Sequence, residues 1–309
     1  MATCLVLGGA GFIGSHLADA LAQAGHRVRA FDRPHVDSLA PLAQRGDFEI
    51  VTGDFLNAGD LEKALRGSEI VFHLISTTLP QTSNDNPAYD AETNLLGTLR
   101  LLALCRQHAV RKVIFVSSGG TVYGIPRAVP VAESHPTQPT CAYGIHKLAI
   151  EKHLHLEHLL HGLDYCVLRP ANLYGERQRP DAALGAVTVF LDRALRGEPI
   201  RIWGDGSIIR DYVYVRDAVG ALLAAMTYSG AEKVFNVGSG AGTSLNDLVK
   251  LIEGMIGRRV AVEYTPARAF DVPVNVLDSS LAGRMLGWRA ATPLATGIRK
   301  TYEWLRAGH

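Results

Sequence analysis

Short runs rich in Val, Ile, Leu and Phe alternate with longer stretches of helical periodicity along the first half of the chain. The runs at 3–7, 28–31, 48–52, 70–74, 113–117 and 165–168 predict buried strands. Between them, 12–24, 59–65, 88–108 and 143–161 predict helices. Regular strand–helix alternation implies parallel pairing through right-handed crossovers, an α/β fold with an open, doubly wound parallel sheet. Beyond Arg169 the texture changes to a polar loop at 175–181 and shorter elements: strands at 213–215 and 234–237, helices at 217–226 and 244–256. The pattern predicts a main domain over 1–168 with a returning segment at about 207–238. A smaller, discontinuous C-terminal lobe takes 169–206 and 239–309, and strand 234–237 is free to rejoin the main sheet.

With 309 residues, 47 % of them hydrophobic and 20 % charged, the chain has enough apolar material for a sizeable core and is not disordered. Thirty-one Lys and Arg balance thirty Asp and Glu, so no broad basic surface exists for bulk nucleic-acid binding. Cys4, Cys105, Cys141 and Cys166 form no CxxC pair and read as reduced thiols of a cytoplasmic protein. No apolar run reaches the roughly 18 residues of a membrane helix, and residues 1–7 read as a strand rather than a leader.

Two motifs carry chemistry. The first is a strand, a glycine turn and a helix start: Gly8, Gly11 and Gly14 in GxxGxxG spacing, with Phe12 and Ile13 opening the helix. Glycine lets a pyrophosphate approach the backbone, and the helix N-terminus supplies N–H donors and positive potential. Asp32 ends the second predicted strand, where a carboxylate accepts from both ribose hydroxyls of an adenosine and repels a 2′-phosphate. Arg33 beside it keeps NADP open as an alternative to NAD. The second motif is Tyr143-Gly144-Ile145-His146-Lys147. Positions i and i+4 share a helix face, so the phenol and the ammonium point to one cleft. The cation is expected to lower the phenol's pKa from its reference of about 10 and make Tyr143 a general base.

On these motifs the sequence resembles the extended short-chain dehydrogenase/reductases, the NAD-dependent sugar-nucleotide epimerase/dehydratase family. The resemblance continues through Gly53-Asp54-Phe55, His73-Leu74, Asn94 to Thr98, Ser117 to Gly124 and Arg169-Pro170-Ala171-Asn172-Leu173-Tyr174-Gly175. It extends to Gly204-Asp205-Gly206, Arg210-Asp211-Tyr212, Arg268 with Asp271, and Leu286-Gly287-Trp288. It implies a Rossmann lobe that holds NAD and a small lobe that holds a nucleoside diphosphate sugar. Asp54 and Phe55 then meet the adenine, and Lys147 holds the nicotinamide ribose. Leu74, Asn94, Ser117 and Pro170 complete the cofactor contacts, and Asn172 and Arg210 approach the substrate diphosphate.

The family's remaining catalytic hydroxyl, counted back from Val122-Tyr123-Gly124, falls on Gly119. This is a departure, with Ser118 and Thr121 as the flanking replacements. Family dehydratases place an Asp-Glu pair next in sequence; Gly120 and Thr121 stand here, which disfavours water loss and leaves epimerisation at C4. Arg169, Arg177, Arg179, Arg210 and Arg268 are candidates for phosphate, with Arg179 read as solvated surface. Gly185, Ala186, Val187 and Ile202 match segments that hold uridine in UDP-sugar enzymes. Asn275 stands where the glucose/galactose enzymes of the family carry Tyr, leaving room for an N-acetyl group at C2; alternatively it serves only a loop backbone. Phe270 replaces a family Gly nearby.

His153, His155, His158 and His161 fan around their helix and read as surface or interface residues rather than a metal site. Leu spacing on helices 88–108 and 143–161 suggests a homodimer through a four-helix bundle, the family's mode. The leading reading is therefore an NAD-dependent UDP-hexose 4-epimerase acting on a 2-acetamido sugar or its uronic acid. A nucleotide-sugar sensor with weakened catalysis and a net reductase or dehydrogenase remain as alternatives.

Overall fold

The computed structural model describes residues 1–34, 39, 46–180, 185–268 and 271–308; Phe270 lies outside the described residues. Residues 3–7, 27–32 and 48–52 form β1 (Thr3–Leu7), β2 (Arg27–Asp32) and β3 (Phe48–Thr52), and β4 (Ile70–His73), β5 (Lys112–Val116) and β6 (Asp164–Pro170) follow. With β10 (Val234–Val237) they make one seven-stranded parallel sheet in the order β10-β6-β5-β4-β1-β2-β3. Alternation along β1 divides the core: Cys4 and Val6 enter the cluster under α1 (Phe12–Gln23) and α8 (Val215–Thr227), while Leu5 and Leu7 enter the one under α2 (Ala58–Leu65), α5 (Gly97–Gln107) and α6 (Ala142–His161). The strand order reverses between β2 and β4 around β1, and a crevice opens there at the carboxyl ends of the strands.

The predicted helix 88–108 is interrupted. α4 (Pro87–Asp90) runs into a π-helical segment over Ala91–Leu96 before α5 begins at Gly97. The wide turn carries Thr93 and Asn94 inward, and Gly97 permits close packing: a Cβ there would sit 2.7 Å from the Phe55 ring. The predicted strand 213–215 is longer and shifted, as β9 (Ile209–Tyr214), with Val215 already the first residue of α8.

Strand β9 joins not the main sheet but a second, four-stranded one, with β7 (Asn172–Tyr174), β11 (Gly242–Ser244) and β13 (Val274–Asn275). β8 (Ile200–Trp203) pairs with β12 (Val262–Thr265). α7 (Ala186–Arg196), α9 (Leu245–Ile256) and α11 (Leu294–Arg306) pack a third core around Tyr174, Leu191, Ile202 and Leu248. α10 (Ser280–Leu286) returns to the main sheet's cluster through Ala282. All four cysteines are buried and unbridged.

Candidate active site

Gly8 ends β1 with φ +83°, a left-handed conformation that glycine adopts freely, and the Gly8 and Gly9 N–H groups donate to the Phe31 carbonyl at 2.9 and 3.1 Å. A Cβ on Gly14 would lie 2.0 Å from the Gly8 carbonyl oxygen, so the third glycine is what lets α1 press against β1. Gly9, which the triplet spacing does not mark, is as constrained, since its Cβ would meet Ala30 Cβ at 2.7 Å. At Gly11, which is exposed, the nearest atom to an added Cβ is the Gly8 oxygen at 3.2 Å. The first N–H groups of α1, from Phe12 and Ile13 onward, have no intrahelical acceptor and face this turn. The Phe12 ring packs toward the third core, so its side chain links the lobes while its backbone serves the turn.

Asp32 is pinned beside the turn. One carboxylate oxygen accepts the Ala10 N–H at 2.9 Å and the other the Arg33 N–H at 2.8 Å, while the Arg33 side chain stays exposed. This glycine cradle with an oriented carboxylate fits NAD. Asp54 is exposed and caps its own turn through the Leu56 N–H at 2.9 Å. The Phe55 ring is buried and stacks on His73 at 5.3 Å, so only its backbone is left for an adenine. Leu74 is half-buried and its N–H donates to the Leu7 carbonyl.

Other expected cofactor contacts are committed to the protein. The Asn94 amide, buried, donates to Asp90 at 2.6 Å and to Thr77 Oγ1 at 2.9 Å, and accepts the Thr77 N–H at 3.0 Å. Its evident work is to hold the segment after β4. The Ser117 hydroxyl donates to Glu151 at 2.5 Å, and the Pro170 carbonyl accepts the Gly119 N–H at 2.9 Å.

Tyr143 and Lys147 occupy the first turns of α6. The start of that helix is fixed by a neighbour the periodicity does not reveal, α3 (Pro80–Asp85): Asn84 Oδ1 accepts the Ala142 N–H at 2.9 Å and Ser83 Oγ the Tyr143 N–H at 3.0 Å. Lys147 is buried, donates to the Val116 carbonyl at 3.0 Å, and lies 4.8 Å from the Phe115 ring centroid and 5.5 Å from that of Tyr143. Burial pushes Lys147 down to about 8, opposed by the negative charges of Asp90 and Glu151. The expectation that Lys147 lowers Tyr143 is corrected. Burial of the phenol dominates and pushes it up to about 12, with a Ser76 side-chain hydrogen bond acting the other way.

The loop after β5 also departs from expectation. Extended pairing persists past the strand: Ser117 N–H donates to Leu168 O and Gly119 N–H to Pro170 O, so alternation still governs residues 117–119. Ser117 points to Glu151, and a Cβ on Gly119 would meet Leu277 Cδ1 at 2.5 Å and the Arg169 carbonyl at 2.9 Å. Position 119 therefore faces packed protein and is not a vacated hydroxyl position. Ser118 points the opposite way and is half-buried. Thr121 Oγ1 is enclosed without a hydrogen-bond partner, and the residue packs against Gly144 at the start of α6. Gly119→Ser is accordingly expected to cost about 1–3 kcal/mol of stability through overpacking and not to raise turnover. Denaturant midpoints and turnover of the variant check both.

Arg169 is not a phosphate ligand. Its guanidinium forks onto the Glu151 carboxylate at 3.0 and 2.5 Å and donates to Tyr123 OH at 2.9 Å, all of it buried. Arg177 pairs with Asp19 of α1 at 2.6 Å, and Arg179 is exposed. Arg210 is different: its donors reach only the Ile209 and Val272 carbonyls, and burial lowers its pKa, so a desolvated cation faces no carboxylate within hydrogen-bond reach among the described residues. Asn172 lies on β7 beside it, donating to the Asp211 carbonyl at 3.0 Å. Arg268 forks onto Asp271 at 2.9 Å and stacks over Trp203 at 4.4 Å; Trp203, nearly half exposed, is a flat surface the sequence reading missed.

Gly185 caps α7 with φ +101° against Gln178, and Ala186 is half-buried. Val187 and Ile202 are core side chains that leave only backbone for a nucleoside. Asn275 is 1 % exposed and donates to the Gly119 carbonyl at 3.1 Å, the loop-backbone role, while its Oδ1 has no partner. Of the α6 histidines, His155 meets Tyr165 OH at 3.2 Å and His158 the Leu163 carbonyl at 3.1 Å; the four do not converge, and no group of metal-binding side chains occurs among the described residues.

Comparison with known proteins gives the family and the fold. Residues 4–238 match the model of the NAD dependent epimerase/dehydratase family. The chain is 40 % identical over 307 residues to a UDP-glucose 4-epimerase of Mycolicibacterium smegmatis, covering 98 % of each. It superposes on the UDP-glucose 4-epimerase of Thermotoga maritima, solved with UDP-glucose, with a TM-score of 0.93 at 39 % identity and 99 % coverage of both chains. It also superposes on the UDP-N-acetylglucosamine 4-epimerase of Methanobrevibacter ruminantium, solved with UDP-N-acetylmuramic acid, with a TM-score of 0.93 at 29 % identity, covering 100 % of this chain and 99 % of that one. With its glycine turn, its Asp32 and its Tyr143–Lys147 pair at one end of a parallel sheet, this chain belongs to the NAD dependent epimerase/dehydratase family.

Proposed function

We propose that this chain is an NAD-dependent 4-epimerase of a UDP-hexose, acting on a 2-acetamido sugar or its uronic acid. The observation that carries the reaction type is the pair of half-buried Tyr143 and buried Lys147 at the open end of β5, in the same crevice as the glycine turn. Gly8, Gly11, Gly14 and Asp32 would hold NAD, which would supply a reversible hydride acceptor for the sugar's C4. Tyr143 takes the C4 hydroxyl proton and gives it back to the 4-keto sugar after that sugar has turned its other face. Lys147, anchored on the Val116 carbonyl, stands beside the phenol, its ammonium 5.5 Å from the ring centroid, where its charge attracts the phenolate once the proton has left. Ser118, the residue of its loop that points away from the Arg169 network, bridges the sugar hydroxyl and the phenol. Arg210 and Asn172 orient the diphosphate, and Trp203 with Arg268 offers a platform for the base.

The acetamido assignment is supported by the smaller side chain of Asn275 at the position where the family's glucose/galactose enzymes carry Tyr, a side chain turned onto the Gly119 carbonyl. Incubation of the purified protein with UDP-glucose, UDP-N-acetylglucosamine and UDP-glucuronate, followed by separation of the epimers, tests both levels. Conversion of UDP-glucose alone removes the acetamido and uronic assignments. Conversion of none, with NAD bound, leaves the sensor reading in place of the enzyme.

A homodimer is supported by the exposed apolar side chains Leu96, Ile145, Leu156, Leu159 and Leu160 on the π segment and α6. On α5 the inward leucines, Leu101 and Leu102, are used by the monomer core. No helix among the described residues is long and apolar enough to cross a membrane.

A further inference from the structure

Asp90 closes α4 and is 1 % exposed, yet it belongs to none of the contacts assigned above to cofactor or sugar. A carboxylate so enclosed is costly unless several donors meet it. Here they do. His146 Nδ1 lies 2.5 Å from one oxygen; the Asn94 amide donates to the other at 2.6 Å, and the Thr78 hydroxyl donates to that same oxygen. Through Asn94 and the Thr77–Thr93 hydroxyl pair at 2.5 Å, the segment 76–78 after β4 is stitched to the π-helical turn. Ser76 of that segment donates to the Thr78 carbonyl at 3.2 Å and lies where its side chain acts on the Tyr143 phenol, lowering its pKa against burial. His146 lies in sequence between Tyr143 and Lys147, so one carboxylate ties α4, the segment after β4 and the start of α6 together.

We propose that Asp90, gripped by His146, is a positioning residue for the epimerisation: it seats segment 76–78 against the Tyr143 hydroxyl and places one fixed negative charge beside both Tyr143 and Lys147. This rests on Tyr143 acting as the base. The groups facing the pair are few. Tyr143 is met by Asp90 from α4, by Cys141 and Lys147 from its own helix and by Ser76. Lys147 is met by Asp90, by Glu151 one turn on, by His73 of β4 and by the Val116 carbonyl of β5. Asp90 raises the pKa of both Tyr143 and Lys147, because a negative charge favours the form with one proton more.

The test is the variant Asp90→Asn, which keeps the size and most hydrogen bonds and removes the charge. Losing a negative charge eases deprotonation of both groups, so both limbs of the turnover–pH profile are expected to move to lower pH by about half a unit or more. Thr78→Val cuts the stitch and keeps the charge; its turnover falls and its profile stays in place. The tyrosinate absorbance of the NAD-loaded protein, taken as the difference from Tyr143→Phe in the same background, is expected to move down in Asp90→Asn as well. That readout needs no sugar, so a protein that converts no UDP-sugar refutes the function while the absorbance still judges the coupling. Should Asp90→Asn lose the native circular dichroism, Asp90→Thr provides the same comparison. A charge-removing variant whose profile and absorbance coincide with wild type overturns the proposal even if it is slow. So does a Thr78→Val profile that shifts as far as that of Asp90→Asn.

Discussion

Replacing Tyr143 with Phe is expected to lower turnover by about 100–10,000-fold, the range a positioned general base contributes, while NAD stays bound. The change removes one oxygen. It leaves the ring against Lys147, the N–H on Ser83 and the lysine on the Val116 carbonyl, so the cleft keeps its shape. The loss falls on the proton that must leave the C4 hydroxyl as the hydride departs. It should appear in a single-turnover measurement as failure to reduce bound NAD. A variant that retains more than half the wild-type rate would remove Tyr143 from the mechanism. The position of the phenol, pushed up to about 12 by burial, adds a pH expectation. A base must be deprotonated to accept a proton while Lys147 keeps its own, so the productive form is phenolate beside ammonium. With the phenol above the lysine, that form's share rises with pH up to about 8, where Lys147 titrates, stays level, and falls above about 12.

The second large effect is on stability. Arg169→Leu strands the Glu151 carboxylate, whose side chain is 3 % exposed, with only the Ser117 hydroxyl left of its side-chain partners. Removing one member of a buried ion pair costs about 3–5 kcal/mol, because the remaining charge stays desolvated. The sign reverses for the pair taken together: Arg169→Leu with Glu151→Leu is expected to recover most of that loss, since two apolar side chains need no partners. Urea unfolding of the single and double variants decides it. A single variant within about 1 kcal/mol of wild type, or a double variant no better than the single, would show that the pair is solvated. The effect reaches the site as well, because Glu151 is one of the charges that oppose the lowering of Lys147.

Local pattern was enough for the parallel sheet, the glycine turn, Asp32 and the Tyr143–Lys147 face. Each depends on spacing along one short stretch, where periods of 2 and 3.6 residues and the geometry of a βα turn leave little freedom. The break in helix 88–108 was not legible in that way, because a π-helical segment of six residues is a single wide turn, too short to show a period. It is held by Asn94 and Thr93 reaching a segment 16 or 17 residues away. Nor was the direction of residue 119, which depends on Gly119 and Ser117 continuing the ladder with β6 and on Leu277, brought in from the far end of the chain.

Arginines show the same division. By sequence Arg169, Arg177, Arg210 and Arg268 all offer forks for phosphate, with Arg210 and Arg268 favoured by the family motifs, and tertiary structure alone gives three of them carboxylates, Glu151, Asp19 and Asp271, and leaves Arg210 with carbonyls. Sequence thus determined which residues could do the chemistry, since that is a matter of side-chain type at a local spacing. Tertiary structure decided which of them are free to do it, since a buried charge is claimed by whichever opposite charge the fold sets beside it, at any distance along the chain.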